Sequence, residues 1–122
     1  MKKQPLPLRQ RLKFSVDGLK AAWRAESSLR LETGAGLALV CLLTWFRATP
    51  VWWAIFALVI AGVLSSELVN TAIETMCDLF HPDIHPRIKV AKDCASAAVF
   101  ILNTAAVLIL LLFLWDNLAP SR

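Results

Sequence analysis

The sequence predicts an all-α integral membrane protein, with three transmembrane helices preceded by an N-terminal amphipathic surface helix. Composition is the first reason. The chain has 122 residues, 57% hydrophobic content and a mean hydropathy of +0.59, too apolar for an ordinary soluble domain and too short for several membrane domains. The second reason is a set of three apolar runs near the roughly 20 residues that a bilayer core requires. The third is charge placement, because eight of the 13 Lys and Arg residues fall within the first 30 positions, ahead of every apolar run.

Residues 1–8 hold Lys2, Lys3, Pro5 and Pro7 with no helical or strand period, and they read as a flexible lead. Over 9–28, Leu12, Val16, Leu19 and Trp23 recur at three- and four-residue steps, while Arg11, Lys13, Asp17, Lys20 and Arg24 fill other positions. That pattern predicts an amphipathic helix lying in the membrane interface. The first span is expected over 29–47, its far end marked by Arg47 and Pro50. The second is expected over 51–77, with Trp52 and Trp53 at one interface, and the third over 95–118, ending at Trp115 and Asp116. A loop over 79–90 joins the last two spans. Its turn, His81-Pro82-Asp83-Ile84-His85-Pro86, stops the second helix. His81 and His85 read as solvated loop residues rather than metal ligands, since a proline after each removes helical i, i+4 geometry.

The basic residues ahead of the first span, with Arg87, Lys89 and Lys92 between the second and third, outweigh Arg47 and Arg122 on the other side. A cytoplasmic N-terminus, a cytoplasmic 79–90 loop and an outside C-terminus are therefore expected. A basic arm joined to membrane spans meets anionic headgroups, so membrane lipids and not nucleic acid are its expected partners. Cys41, Cys77 and Cys94 form no CxxC pair and imply neither a disulfide framework nor a zinc site. The long, charged, proline-interrupted start gives no expectation of a cleavable signal peptide.

The feature needing explanation is the stretch from Glu67 to Asp78, which carries carboxylates into the end of an apolar run, where ionisable groups are expensive. On one helix, Glu67, Asn70, Glu74 and Asp78 lie within an arc of about 80° and along about 16 Å. The stripe starts inside the lipid and ends near water. Under the expected topology it shares the cytoplasmic face with Glu26, Arg30 and Glu32, and with Lys92, Asp93 and Ser96. Carboxylates facing a basic segment at a membrane surface suit magnesium and phosphate chemistry, with Glu26 and Glu74 as candidate ligands and Lys92 balancing phosphate charge. The deeper Glu67 is placed to act as a base toward a lipid hydroxyl. Acidic residues in spans also build proton relays, ion sites and helix–helix hydrogen bonds, so the residues alone leave transport or assembly open.

Three segments carry a resemblance. Gly18-Leu19-Lys20-Ala21-Ala22-Trp23 with Glu26, Glu67-x-x-Asn70-Thr71-Ala72-Ile73-Glu74-x-x-x-Asp78, and Ala91-Lys92-Asp93-x-x-Ser96-Ala97-Ala98-Val99 resemble the bacterial diacylglycerol kinase family, over roughly residues 9–118. The resemblance implies a homotrimeric, multi-pass enzyme of the bacterial cytoplasmic (inner) membrane, with sites shared between chains. It implies that Glu26 and Glu74 hold the Mg²⁺ of Mg-ATP and that Glu67 is the catalytic base. Asn70, Glu74, Asp78, Lys92 and Asp93 would bind nucleotide and phosphates, and Glu67, Ser96, Trp23 and Arg30 would meet the lipid. Position 31 is Leu where many similar members carry Gln, and Asn103 falls inside the third span, where an interhelical hydrogen bond is its expected role.

The expected function is ATP-dependent phosphorylation of diacylglycerol to phosphatidate. Undecaprenol, another lipid alcohol, is the alternative substrate, and a non-enzymatic small membrane subunit is the alternative class.

Overall fold

The computed structural model describes residues 6–80 and 85–119. His81, Pro82, Asp83 and Ile84 of the expected turn, most of the expected lead and Arg122 lie outside the described residues. The described chain is helical: α1 (Leu8–Ala25), α2 (Ser27–Trp45), α3 (Pro50–Phe80) and α4 (Pro86–Leu118).

The apolar stripe of α1, Leu12, Val16, Leu19 and Trp23, is exposed, and Ala22 is its one buried position. α1 makes only limited contact with α2 and α3. It ends at Ala25, earlier than the expected 28, because Glu26 is extended (φ −109°, ψ 121°) and serves both as the C-cap of α1 and the N-cap of α2. Ser27 and Ser28 then open α2, in the first turn of a helix, where hydroxyl side chains are better tolerated than in its interior. Arg30 secures the break: its guanidinium donates to the Trp23 carbonyl at 2.6 Å, satisfying one of the acceptors left over at the end of α1.

α2 closes at Arg47, whose φ of 51° lies in the left-handed region at a cost of about 1 kcal/mol for a non-glycine residue. The turn is held by the Ala48 amide donating to the Leu43 carbonyl at 2.9 Å. Pro50 starts α3, where its missing N–H is no loss. Pro86 does the same for α4, with His85 as N-cap accepting from the Arg87 amide at 3.2 Å through Nδ1. The expected loop is therefore shorter than 79–90: α3 runs on to Phe80, and residues 86–94 are helical, because Pro86 begins a helix rather than prolonging a turn.

α3 packs along α4 most extensively and against α2 next. The core lies at the end where α2 turns into α3. Leu43, Phe56 and Phe113 are fully buried there, and Phe113 is ringed by Phe46, Trp52 and Phe56 at centroid distances of 5.7, 5.2 and 5.7 Å. Nε1 of Trp52 donates to Asp116 at 3.3 Å, tying α3 to α4 at that end.

Of the described helices, α3 and α4 are long and apolar enough to cross a membrane, and little of either span is buried within the chain. Their 31 and 33 residues reach about 46 and 50 Å, beyond a hydrocarbon core of roughly 30 Å. α2 falls short of that measure because Ser27, Ser28, Arg30, Glu32 and Thr33 dilute its first turns. Large apolar side chains such as Leu58, Phe100, Ile101 and Leu112 face outward.

Candidate active site

The expected stripe on α3 is graded in burial as well as in position. Glu67 is 6% exposed, Asn70 and Glu74 are half-buried, and Asp78 is exposed. The helical offsets fix the order along α3, each step of three or four residues being about one turn, and packing against the other helices sets the burial.

Glu67 is met chiefly from α2. The carboxylates of Glu32 and Glu26, and that of Glu74 on the same helix, are near enough for their charges to act on it. Glu32 in turn is held from α4, where Asn103 Nδ2 donates to its Oε1 at 2.7 Å. Asn103 thus makes the interhelical hydrogen bond expected of it. Along α3, Asn70 Nδ2 donates to Glu74 Oε1 at 3.2 Å. Two buried oxygens in this region, Glu32 Oε2 and Asn70 Oδ1, have no hydrogen-bond partner among the described residues. Unpaired buried acceptors are uncommon in folded proteins.

Nearer the turn between α3 and α4, Lys92 Nζ donates to Asp78 Oδ1 at 2.8 Å and joins the two helices. Lys89 pairs with Asp93 one turn along α4. Of the expected site residues, the structure therefore brings Glu26, Glu67 and Glu74 into one electrostatic neighbourhood, with Asn70 on Glu74 and Asp78 on Lys92. Asp93 instead pairs with Lys89, Ser96 is exposed on α4, and the Trp23 side chain is exposed on α1. Arg30 is engaged with the α1 carbonyl end. Glu32 belongs to the expected polar cluster without an assigned role; its bond to Asn103 depends on packing between helices and is not visible in the sequence.

Glu26 and Glu74 are hard oxygen donors, the kind Mg²⁺ takes one or two of before completing its shell with phosphate oxygens and water. Among the described residues no three His, Cys, Asp or Glu side chains gather as a self-sufficient metal cage. As oxygen donors, Glu26 and Glu74 suit such an ion. A cleft of about 520 Å³ between α1 and α3, walled by Ser15, Gly18, Ala21, Thr71 and Thr75, opens beside the stripe.

These features define a small all-helical protein with two helices of membrane-crossing length and a stripe of acidic and amide side chains along α3. The profile of the prokaryotic diacylglycerol kinase family matches residues 13–114. Diacylglycerol kinase of Escherichia coli K12 is 32% identical over 104 residues, covering 85% of each chain. Diacylglycerol kinase of Helicobacter pylori 26695 is 35% identical over 88 residues, covering 72% of this chain and 69% of its own. Undecaprenol kinase of Bacillus subtilis 168 is 35% identical over 98 residues, covering 80% of each. The chain belongs to the prokaryotic diacylglycerol kinase family.

Proposed function

We propose that the protein is an ATP-dependent lipid kinase that converts diacylglycerol to phosphatidate in a bacterial inner membrane. The observation that carries this reading is the graded stripe on α3, with a buried carboxylate at one end and the Asp78–Lys92 ion pair at the other. A lipid hydroxyl reaches Glu67 from the membrane, while a nucleotide reaches Glu74 and Lys92 from water. One helix serves both phases.

In the proposed reaction Glu67 takes the proton of the lipid hydroxyl as its oxygen attacks the γ-phosphorus. The new O–P bond forms as the bond to the β-phosphate oxygen breaks, and ADP leaves. Asn70 orients the Glu74 carboxylate through the hydrogen bond between them. Glu26 and Glu74 are the residues that would hold Mg²⁺, which when bound offsets charge on the phosphates. Lys92 exchanges Asp78 for phosphate oxygens, and Asp93 orders the adjoining turn through Lys89. The cleft between α1 and α3 receives the nucleotide. Trp23, Arg30 and Ser96 border the lipid's approach.

The same reading includes α2 as a third span, since its 19 residues reach about 28 Å. The N-terminus and the α3–α4 turn then face the cytoplasm and the C-terminus faces outside, following the basic residues. The outward apolar faces of α3 and α4 suit contact with lipid, and a homotrimer is part of the same reading. A second reading, undecaprenol as the acceptor, is favoured by the similarity to the Bacillus subtilis relative. Assaying dioleoylglycerol and undecaprenol side by side in mixed micelles with Mg-ATP decides between them: a rate ratio above ten for dioleoylglycerol is expected, and the inverse ratio assigns the chain to the second reading.

A further inference from the structure

α1 separates two openings. Through Gly18, Ala21 and Ala25 it walls the cleft assigned to the nucleotide. Through Lys20, Trp23 and Arg24 it walls a groove of about 520 Å³ that is closed by Leu29 of α2 and Leu64 of α3. At about 100° per residue these two sets fall on opposite sides of one helix, so the position of α1 shapes both openings. Little inside the chain fixes that position. Ala22 is the one buried residue of α1, its contacts with α2 and α3 are limited, and the extended Glu26 joins it to α2.

The groove pairs an apolar wall with a cationic rim. Leu29 is buried behind it, Trp23 is exposed, and the Thr33 hydroxyl is given to the Leu29 carbonyl, so the wall presents hydrocarbon. Lys20 and Arg24 are exposed one turn apart, and among the described residues neither has an ion pair or a hydrogen bond. Two such cations, about 6 Å apart along a helix, suit one phosphate, Arg24 through its guanidinium fork and Lys20 as a point charge. An uncharged lipid alcohol leaves both cations idle, and a free phosphate leaves the apolar wall bare. A phospholipid with net negative charge meets both.

We propose that this groove binds one anionic phospholipid of the surrounding membrane, its phosphate on Lys20 and Arg24 and one chain against Leu29 and Leu64, and that the bound lipid sets α1 against α3 and so completes the nucleotide cleft. This lipid is a ligand and not a reactant. The second half of the statement rests on the lipid-kinase reading, whereas the binding half needs no turnover.

The test uses full-length protein in phosphatidylcholine nanodiscs containing phosphatidylglycerol with a diazirine on one chain. Photolabelling is expected on peptides containing Trp23, Leu29 and Leu64, competed by unlabelled phosphatidylglycerol. Lys20→Gln and Arg24→Gln should each lower it about fivefold, the scale of one cation at an anionic membrane surface, and Lys20→Arg should label like wild type. Adding phosphatidylglycerol should lower the Mg-ATP KM of wild type about fivefold, a coupling of ordinary size between two sites, and should not lower it in the variant carrying both glutamines. The sign is diagnostic, because negative surface charge by itself repels Mg-ATP and raises its KM. Competition by dioleoylglycerol makes the groove the path of the acceptor lipid, competition by inorganic phosphate makes it a site for a free anion, and labelling indifferent to both glutamine variants makes it ordinary membrane contact. Each of these overturns the site, as does a cross-link placing a second chain in the groove. Specific labelling with an unchanged or raised Mg-ATP KM overturns the link to the cleft. Specific labelling without any phosphorylation removes the kinase reading and leaves the groove site standing; phosphorylation without specific labelling does the reverse.

Discussion

Lys92 Nζ lies 2.8 Å from Asp78 Oδ1, so the last turns of α3 and the first turns of α4 are joined by an ion pair beside the stripe that leads to Glu67. Both partners are substantially exposed, and exposed pairs contribute little to folding. The pair therefore has a small structural role and leaves Lys92 available to a stronger anion.

Replacing Lys92 separates those roles. Lys92→Met is expected to leave the thermal midpoint in detergent nearly unchanged and to lower kcat/KM for Mg-ATP about 100-fold, the scale of losing one charge on a transferring phosphoryl group. Calorimetry and steady-state kinetics on one preparation check both halves. A large loss of stability with normal kinetics on the folded fraction would assign Lys92 to structure.

Glu74→Gln is expected to raise the Mg²⁺ concentration for half-maximal rate by about tenfold or more, since it removes a hard anionic ligand while keeping a group that Asn70 can meet. Glu26→Gln should act in the same direction. Titration of Mg²⁺ at fixed ATP measures both, and chelation should abolish transfer in every variant. Unchanged Mg²⁺ curves would take these carboxylates out of the metal site.

Phe113 is fully buried among Phe46, Trp52 and Phe56, at the opposite end of the bundle from Glu74 and Asp78. Phe113→Ala should cost about 2 kcal/mol or more, the cavity part of the usual penalty, because lipid is as apolar as the core and the transfer part fades. The lipid and Mg-ATP KM values of the folded protein should not move. Denaturation in mixed micelles beside kinetics at low temperature tests this separation.

What the sequence made legible is local. The stripe could be read because four polar residues at helical spacing share a face whatever surrounds them, and the structure adds the burial gradient from Glu67 to Asp78. An interhelical bond for Asn103 was also legible, from an amide inside an apolar run. Its partner was not, because Glu32 is distant in sequence and meets Asn103 only through packing across α3. The break at Glu26 carries no proline or glycine to announce it, so the end of α1 was placed too late. Pro86 was read as a stop and acts as a start, which is why the connection before α4 is shorter than expected. Arg30 and Asp93 have expected roles that rest on the resemblance alone, and their contacts depend on folding: Arg30 caps the end of α1 and Asp93 pairs within α4.

The central claim is that Glu67, buried on α3, is the base toward the lipid hydroxyl. The direct measurement is transfer of labelled γ-phosphate from Mg-ATP to dioleoylglycerol in mixed micelles, wild type against Glu67→Gln, with Mg-ATP protection of each protein against heating as the control. Loss of a positioned base should lower kcat about 10²- to 10⁴-fold with the protection by Mg-ATP retained. Replacing a buried carboxylate among other acidic groups by a neutral amide should not lower the thermal midpoint. Wild-type turnover in folded Glu67→Gln would contradict the account.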